Sequence, residues 1–372
     1  MRIYDTFPFD GELDLLDHRL HETFDLVELF VLVESAETFR GQPKRLHFKE
    51  NRERFAWASA KIRHITLDTL GPAGSSPWRR QALQRDAIML GLRDAAPDDI
   101  VLVLDADEIP SRAVLQRLRS EGLDRPHRLA MTRHYEYMDM LAPASPCCPS
   151  VETPFPFCFD RLRPPDWARL DALWHGRSGV AVRFADLCGD LDRALPARSA
   201  YDMRRLMHAA PTLKDAGRHF VSTDPSARSD SKLTHVSHAE LADVRTLNRD
   251  YLQRARHYGV HHHGWWYAEA PSGAWPADLQ RLAERYPAMK RQAPLPPLLL
   301  RVLLRTWAWL RCWPRLSDGL VRFVDRHFEQ LAPLLAAPLL TAALLRYISA
   351  RRRWRWLGLV APATQRHGHS HG

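Results

Sequence analysis

The sequence predicts an α/β fold with a mainly parallel sheet, on three observations. Ile100-Val101-Leu102-Val103-Leu104 is an unbroken aliphatic run rich in β-branched types, the composition of a strand buried on both faces. A strand, a helix and a strand succeed one another within the first 35 residues, and that order is an α/β unit. A helix-patterned stretch from Trp78 to Leu92 then feeds directly into the aliphatic run.

Arg2 to Tyr4 reads as a short first strand that gives out in Asp5-Thr6-Phe7-Pro8-Phe9. Asp10 reads as an N-cap, with Glu12 and Asp14 in the first turn, where the helix dipole favours acids. Leu13, Leu16, Leu20 and Phe24 form its inward stripe. Leu26 to Val33 is a second strand closed by Glu34-Ser35, and residues 36–60 read as loop and short helix. Ile62 to Leu67 is a third strand, followed by a breaker-rich loop from Gly71 to Pro77. Leu83, Ala87 and Leu90 stand at helical spacing in the stretch that follows. Leu129 to Thr132 is strand-like, and His134-Tyr135-Glu136-Tyr137 offers ring faces suited either to a sugar or to ordinary packing. Pro143 to Pro165, proline-rich and carrying Cys147-Cys148, reads as a long loop over the site.

Charge is placed unevenly along the 372 residues. After residue 290 there are 13 arginines and no lysine against Asp318, Asp325 and Glu329, a net of +10, which leaves residues 1–290 at −1. A neutral body gives no sign of nucleic-acid binding, and the basic excess belongs to the C-terminal segment. Five cysteines, Cys147, Cys148, Cys158, Cys188 and Cys312, contain no CxxC pair. That argues against a disulfide framework or zinc ribbon and fits a reducing compartment. The first residues lack the apolar run of a signal peptide, so the expected location is cytoplasmic.

The aliphatic run ends in Asp105-Ala106-Asp107-Glu108-Ile109-Pro110. Three carboxylates within four residues repel one another unless a cation neutralises them, and carboxylate oxygens suit Mg²⁺ or Mn²⁺ held jointly with phosphate oxygens. Ligands of open α/β sheets bind at the carboxyl ends of strands. Two readings of the cluster stand: a divalent-metal, nucleotide-diphosphate site at Asp105 and Asp107, or an acidic turn opening a helix capped by Ser111, with Val114, Leu115 and Leu118 inward.

Met1 to Glu12 (MRIYDTFPFDGE), Leu32 to Lys44 (LVESAETFRGQPK), Gln84-Arg85-Asp86-Ala87-Ile88 and Asp98 to Pro110 (DDIVLVLDADEIP) resemble glycosyltransferase family 17. That family includes β-1,4-mannosyl-glycoprotein β-1,4-N-acetylglucosaminyltransferases. Further on, Gly217-Arg218-His219-Phe220 and Lys232-Leu233-Thr234-His235-Val236-Ser237-His238 are similar to its Gly-Trp-His-Phe and Lys...Ser-x-x-His segments, with Arg218 in place of Trp. The resemblance implies a GT-A type mixed sheet flanked by helices, and a UDP-sugar donor, UDP-N-acetylglucosamine, transferred with inversion. A metal on Asp105 or Asp107 would stabilise the departing phosphate as a Lewis acid. Asp107 is the preferred direct ligand, with Asp105 toward the ribose or a metal-bound water and Glu108 behind them. Glu34 and Arg85 are candidates for the nucleotide or its phosphates, Arg by virtue of its planar fork; their alternatives are a loop carboxylate and a solvated helix face.

Inversion requires a general base beside the acceptor hydroxyl; Glu240, Asp215 and Asp202 are the carboxylates placed late enough to serve, Glu240 first, against the alternative of ordinary surface carboxylates. Among His219, His235 and His238, a late histidine completing the metal set, His219 or His238, stands against an ordinary hydrogen-bonded role. Lys232 is a candidate for the diphosphate or a surface lysine. His261-His262-His263 reads as an exposed run, and the residues from 361 to 372, with His367, His369 and His371, as a disordered tail.

From Pro294 the composition changes. Leu298 to Trp313 is apolar apart from arginines, and Arg351-Arg352-Arg353-Trp354-Arg355-Trp356 closes the segment. Residues 295–360 therefore form a helical appendage to a body of residues 1–290. It either lies in the interface of an anionic membrane or packs as a helical subdomain on protein. Three functions remain in view: a metal-dependent transferase acting on a glycan or lipid-linked acceptor, a phosphohydrolase with Asp105 as nucleophile, and a non-catalytic membrane-associated protein with a decayed transferase body.

Overall fold

The computed structural model describes residues 1–141, 179–187, 199–206, 210–224, 248–260, 268–269, 275–311 and 316–334. Chain contacts gather into two compact units, one of residues 1–145, 163–243 and 267–294, the other of 146–162, 244–266 and 295–372.

Among the described residues, the first unit is a ten-stranded mixed sheet with helices. In chain order it runs β1 (Ile3–Phe9), α1 (Leu13–Thr23), β2 (Leu29–Ser35), α2 (His47–Glu50), a 3₁₀ stretch (Arg52–Lys61), β3 (Ile62–Leu67), α3 (Pro77–Asp86), a second 3₁₀ turn (Ala87–Gly91) and β4 (Ile100–Val103). Next come β5 (Glu108–Pro110), α4 (Arg112–Glu121), β6 (His127–Tyr135), β7 (Tyr137–Leu141), β8 (Val180–Arg183), the single-turn α5 (Phe184–Leu187), α6 (Ala200–Leu206) and β9 (Thr212–Val221). β4, β1, β2 and β3 pair in parallel, as the first three observations predict. β8 turns antiparallel against β4, β6 against β8, and a short β10 (Ala268–Glu269) borders β7. β9 runs parallel to β6 and antiparallel to β5.

Alternation along the central strands supplies both faces of the core. Ile3, Phe7 and Phe9 pack with Ile100, Leu102 and Leu104 and with Leu16 and Leu20 of α1. Tyr4, Val101 and Val103 point the other way, onto Ile88 and Leu92. β4 is fully buried on both sides, as its composition requires. One buried charge interrupts the first face. Arg19 of α1 donates to both oxygens of Asp5 at 2.6 and 2.7 Å, lies over the Phe7 ring, and donates to the carbonyls of Asp105 at 3.0 Å and Ala106 at 3.2 Å.

Local chemistry departs from expectation at three places. β1 runs on to Phe9 through Pro8, and the reason lies in its pairing. Leu104 N donates to Thr6 O, so Thr6 faces β4; Pro8, two residues on, faces the same side beyond the last β1–β4 pair, Thr6 with Val103, where no ladder bond is lost. The cap of α1 is not Asp10. Glu12 holds the cap position, but its side chain makes no capping bond, and Asp224, more than 200 residues away, accepts from Asp14 N at 3.0 Å and Leu15 N at 2.9 Å. Asp224→Ala is expected to lower stability by about 1–2 kcal/mol, the usual loss of an N-cap, as read by urea unfolding. Finally, Leu83 and Leu90 are 41% and 48% exposed. The α-helix tightens to 3₁₀ after Asp86, and its inner face is polar, made of Arg80, Gln84 and Arg85. α4, by contrast, follows expectation, with Ser111 Oγ accepting from Val114 N and Val114, Leu115 and Leu118 buried.

Also within this unit is α8 (Ala277–Arg285), whose Leu279 and Leu282 pack on Leu15, Ile109 and Phe220. His18 of α1 is buried here, and burial above all pushes its pKa down to about 4; Glu22 and Asp278 act upward, Arg285 and Arg281 downward. Unfolded histidine titrates near 6.5, so below that pH the unfolded chain takes the proton first. Stability contributed by neutral His18 is therefore complete above about pH 6.5 and lost as pH falls to about 4. The expected loss is on the order of 3 kcal/mol, measured by urea unfolding at pH 7 and pH 4, and His18→Gln should flatten that slope.

The second unit contains α7 (Arg249–His257), α9 (Leu298–Leu310) and α10 (Asp318–Arg326). Its charges are partly internal. Asp325 accepts from Trp307 Nε1 at 2.7 Å and Arg311 Nη2 at 2.7 Å, and Arg311 lies 3.7 Å from the centre of the Tyr251 ring. Among the described residues, no helix is long and apolar enough to cross a membrane. The run Arg351 to Trp356 and the tail from 361 to 372 lie outside the described residues, as do Pro143 to Pro165 and His261 to His263.

Candidate active site

Four residues, Leu104 to Asp107, connect β4 to β5 and carry the first two carboxylates of the acidic cluster. The connection sits at the carboxyl ends of β1, β2 and β4, where an α/β sheet binds ligands. A cavity open to solvent lies there. Its walls are Pro8, Phe9, Asp10 and Glu12 after β1, Glu37, Thr38, Phe39 and Lys44 after β2, Gln81, Gln84 and Arg85 of α3, Asp105, Ala106 and Asp107, and His219 of β9.

Register explains why His219 belongs here. β5 pairs antiparallel with β9, setting Glu108 opposite His219 and Pro110 opposite Gly217, while Phe220 N donates to Asp107 O at 2.8 Å. A Cβ on Gly217 would stand 2.1 Å from the Ile109 carbonyl oxygen, so the close approach of the two strands requires glycine. His219 Nε2 is 3.4 Å from Asp107 Oδ1 and its Nδ1 is 3.8 Å from Glu108 Oε1. The buried Nδ1 has no hydrogen-bond partner among the described residues.

The three carboxylates are not equivalent. Glu108 is fully buried; it accepts from Asp105 N at 2.9 Å and from Arg204 Nη1 and Nη2 at 2.6 and 2.7 Å. It therefore shapes the turn rather than meeting a substrate. Asp105 lies between two guanidinium groups, Arg85 on Oδ1 and Arg204 on Oδ2. Burial acts to raise its pKa, but Arg204 and Arg85 prevail and hold it at about 2. A carboxylate so clamped is a poor metal ligand and a poor nucleophile, which counts against Asp105 in either role. Asp107 lines the cavity with His219.

Other predicted site residues are dispersed. Glu34 is buried outside the cavity wall; its oxygens accept from Phe48 N at 2.9 Å, Lys49 N at 3.3 Å and pair with His64 at 3.1 Å, so it caps α2 rather than reading a nucleotide. Arg85 does face the cavity, held by the Leu104 carbonyl at 3.0 Å. Arg218 points to the other side of β9, onto Asp278 at 2.9 Å. Asp215 lies in that same outer region, beside Arg218, and Asp202 is outside the cavity wall. His134, buried and stacked on Phe220, is a packing residue whose pKa burial drives down to about 3. Lys232, His235, His238 and Glu240 lie outside the described residues. Sequence reasoning missed Arg204 altogether and gave Lys44, which pairs with Asp10 on the cavity wall, no role. Lys44 stood in a block already singled out, whereas Arg204 carried no local signal.

Among the described residues no group of three or more His, Cys, Asp or Glu side chains is arranged to hold a metal ion. Asp107 and His219 form a two-donor set. It fits a cation that brings most of its own oxygen ligands, as Mg²⁺ or Mn²⁺ does when bound to a diphosphate.

Fold and site together define a mixed α/β protein with a solvent-open cavity, walled by charged and apolar side chains, at the carboxyl ends of parallel strands. Glycosyltransferase family 17 matches residues 1–144 of the chain. The β-1,4-mannosyl-glycoprotein 4-β-N-acetylglucosaminyltransferases of Rattus norvegicus and Homo sapiens are 35% identical to it over 119 residues, 30% of this chain and 22% of theirs. That of Mus musculus is 34% identical over the same length. The chain thus spans about a fifth (22%) of the length of these relatives. The matched region supplies every cavity residue except His219.

Proposed function

We propose that the protein is an inverting glycosyltransferase that moves a sugar, N-acetylglucosamine, from its UDP donor to a glycan or lipid-linked acceptor. The observation that carries this reading is the meeting of Asp107 and His219 on the wall of a cavity that the family 17 region builds. Arg85 and Lys44 add cationic groups to a wall that must receive a diphosphate, and Phe9 and Phe39 add apolar surface for a base. Asp107 and His219 would hold Mn²⁺ or Mg²⁺, whose contribution is to stabilise the negative charge that gathers on the departing phosphate. Arg85, fixed by Leu104 O and Asp105, is preorganised and loses little freedom on binding.

The reading includes a cytoplasmic location and attraction of residues 295–360 to an anionic membrane surface, which would bring a lipid-linked acceptor within reach. Co-sedimentation with vesicles containing phosphatidylglycerol, absent with phosphatidylcholine alone, is the expected result for that part. The reaction itself is tested by following UDP release from a panel of UDP-sugars in Mn²⁺, with and without polyprenyl-phosphate-linked and free glycan acceptors. Release from UDP-N-acetylglucosamine stimulated by an acceptor is the expected outcome. Inorganic phosphate released from simple phosphomonoesters, with no UDP formed, would replace the reading by a phosphohydrolase.

A further inference from the structure

We propose that Arg204 is the resident counter-ion of the acidic turn: a positioning residue that keeps Asp105 and Glu108 from ligating a cation and confines divalent metal to Asp107 and His219. The proposal rests on the transferase reading for the diphosphate that completes the metal's shell, and not for how the protein treats metal alone.

Three carboxylates in four residues need a cation close by, and the fold supplies one of its own. From α6, 96 residues further along the chain than Glu108, Arg204 forks across the turn. Its Nη2 reaches Asp105 Oδ2 at 2.5 Å and Glu108 Oε1 at 2.7 Å, and its Nη1 reaches Glu108 Oε2 at 2.6 Å. Arg85 takes the remaining oxygen of Asp105. Every carboxylate oxygen of Asp105 and Glu108 thus faces a guanidinium. A divalent ion at either would have to displace a bidentate, charge-assisted pair and sit beside the displaced cation.

The same geometry predicts what removing Arg204 does. Both oxygens of Glu108 and Oδ2 of Asp105 would then lose their guanidinium, leaving carboxylate oxygens free to turn toward a cation held by Asp107 and His219. The resident arginine therefore makes metal binding conditional on a second ligand.

The test is a Mn²⁺ titration of the full chain without nucleotide, followed by the electron paramagnetic resonance signal of the unbound ion. Wild type should bind weakly and Arg204→Gln at least about tenfold more tightly, since one compensating charge is gone. Asp105→Asn placed on Arg204→Gln should reverse most of that gain. Arg204→Lys, which keeps the charge but loses the fork, should fall between. A folded Arg204→Gln protein with unchanged or weaker Mn²⁺ affinity would overturn the proposal. Should Arg204→Gln fail to fold, Asp105→Asn in the wild-type background decides: affinity within about threefold is expected of a residue that is not a ligand, and a tenfold loss overturns the proposal. Because no nucleotide is present, failure of the protein to bind UDP-sugars would remove the transferase reading and leave these outcomes unaffected.

Discussion

Arg19→Met is expected to destabilise the protein by about 3–5 kcal/mol, the usual consequence of leaving one member of a buried ion pair without the other. Asp5 and Arg19 are both fully buried in the central strand and first helix. With the guanidinium gone, Asp5 keeps a charge in an apolar core facing Phe7, or takes up a proton at the expense of folding free energy. The effect should extend to the site, because Arg19 also fixes the carbonyls of Asp105 and Ala106. Urea unfolding gives the stability loss. Pairing Arg19→Met with Asp5→Leu should recover much of it, since a buried ion pair replaced by apolar groups is often neutral. The double variant should nonetheless bind donor more weakly than wild type, because the turn has lost its anchor.

Asp107→Asn is expected to lower sugar transfer at least about a hundredfold, near 2.7 kcal/mol of transition-state stabilisation, with little change in unfolding free energy. The side chain lines the cavity and is within 3.4 Å of His219. Glu108→Gln should show the opposite balance. Its carboxylate is buried against Arg204, so stability falls, and activity falls only as the turn loosens. Measured side by side, the ratio of transfer loss to stability loss separates a residue that meets the substrate complex from one that holds the turn.

What could be read from the sequence follows from which forces are local. β3 matches its predicted limits, Ile62 to Leu67, and β4 is buried on both faces because an unbroken aliphatic run admits no other placement. Ser111 caps α4 because a cap is decided within three residues. α1 is capped by Asp224 instead, a contact that no window of sequence contains. α3 misled for a different reason: hydrophobic periodicity assumes an apolar inner face, and here that face is Arg80, Gln84 and Arg85, turned toward the strand ends and the cavity. Of the site, Asp105, Asp107 and Arg85 were legible as chemistry, but not their division of labour. Asp105 reads as a ligand until Arg204, 99 residues away, is brought onto it. His219 could be singled out by resemblance, yet only the β5–β9 register places it against Asp107. Glu34 is the reverse case, an acid at a strand end whose oxygens serve the backbone of the next helix.

Donor and metal binding at Asp107 are tested most directly by the thermal stabilisation of the full chain by UDP-N-acetylglucosamine, with and without Mn²⁺, compared with Asp107→Asn. A ligand at about one hundred times its dissociation constant adds about 2.7 kcal/mol to the folded state. A rise in melting temperature that requires both the UDP-sugar and Mn²⁺ and disappears in Asp107→Asn is the expected result. An unchanged melting temperature with every UDP-sugar in the presence of Mn²⁺ would contradict it.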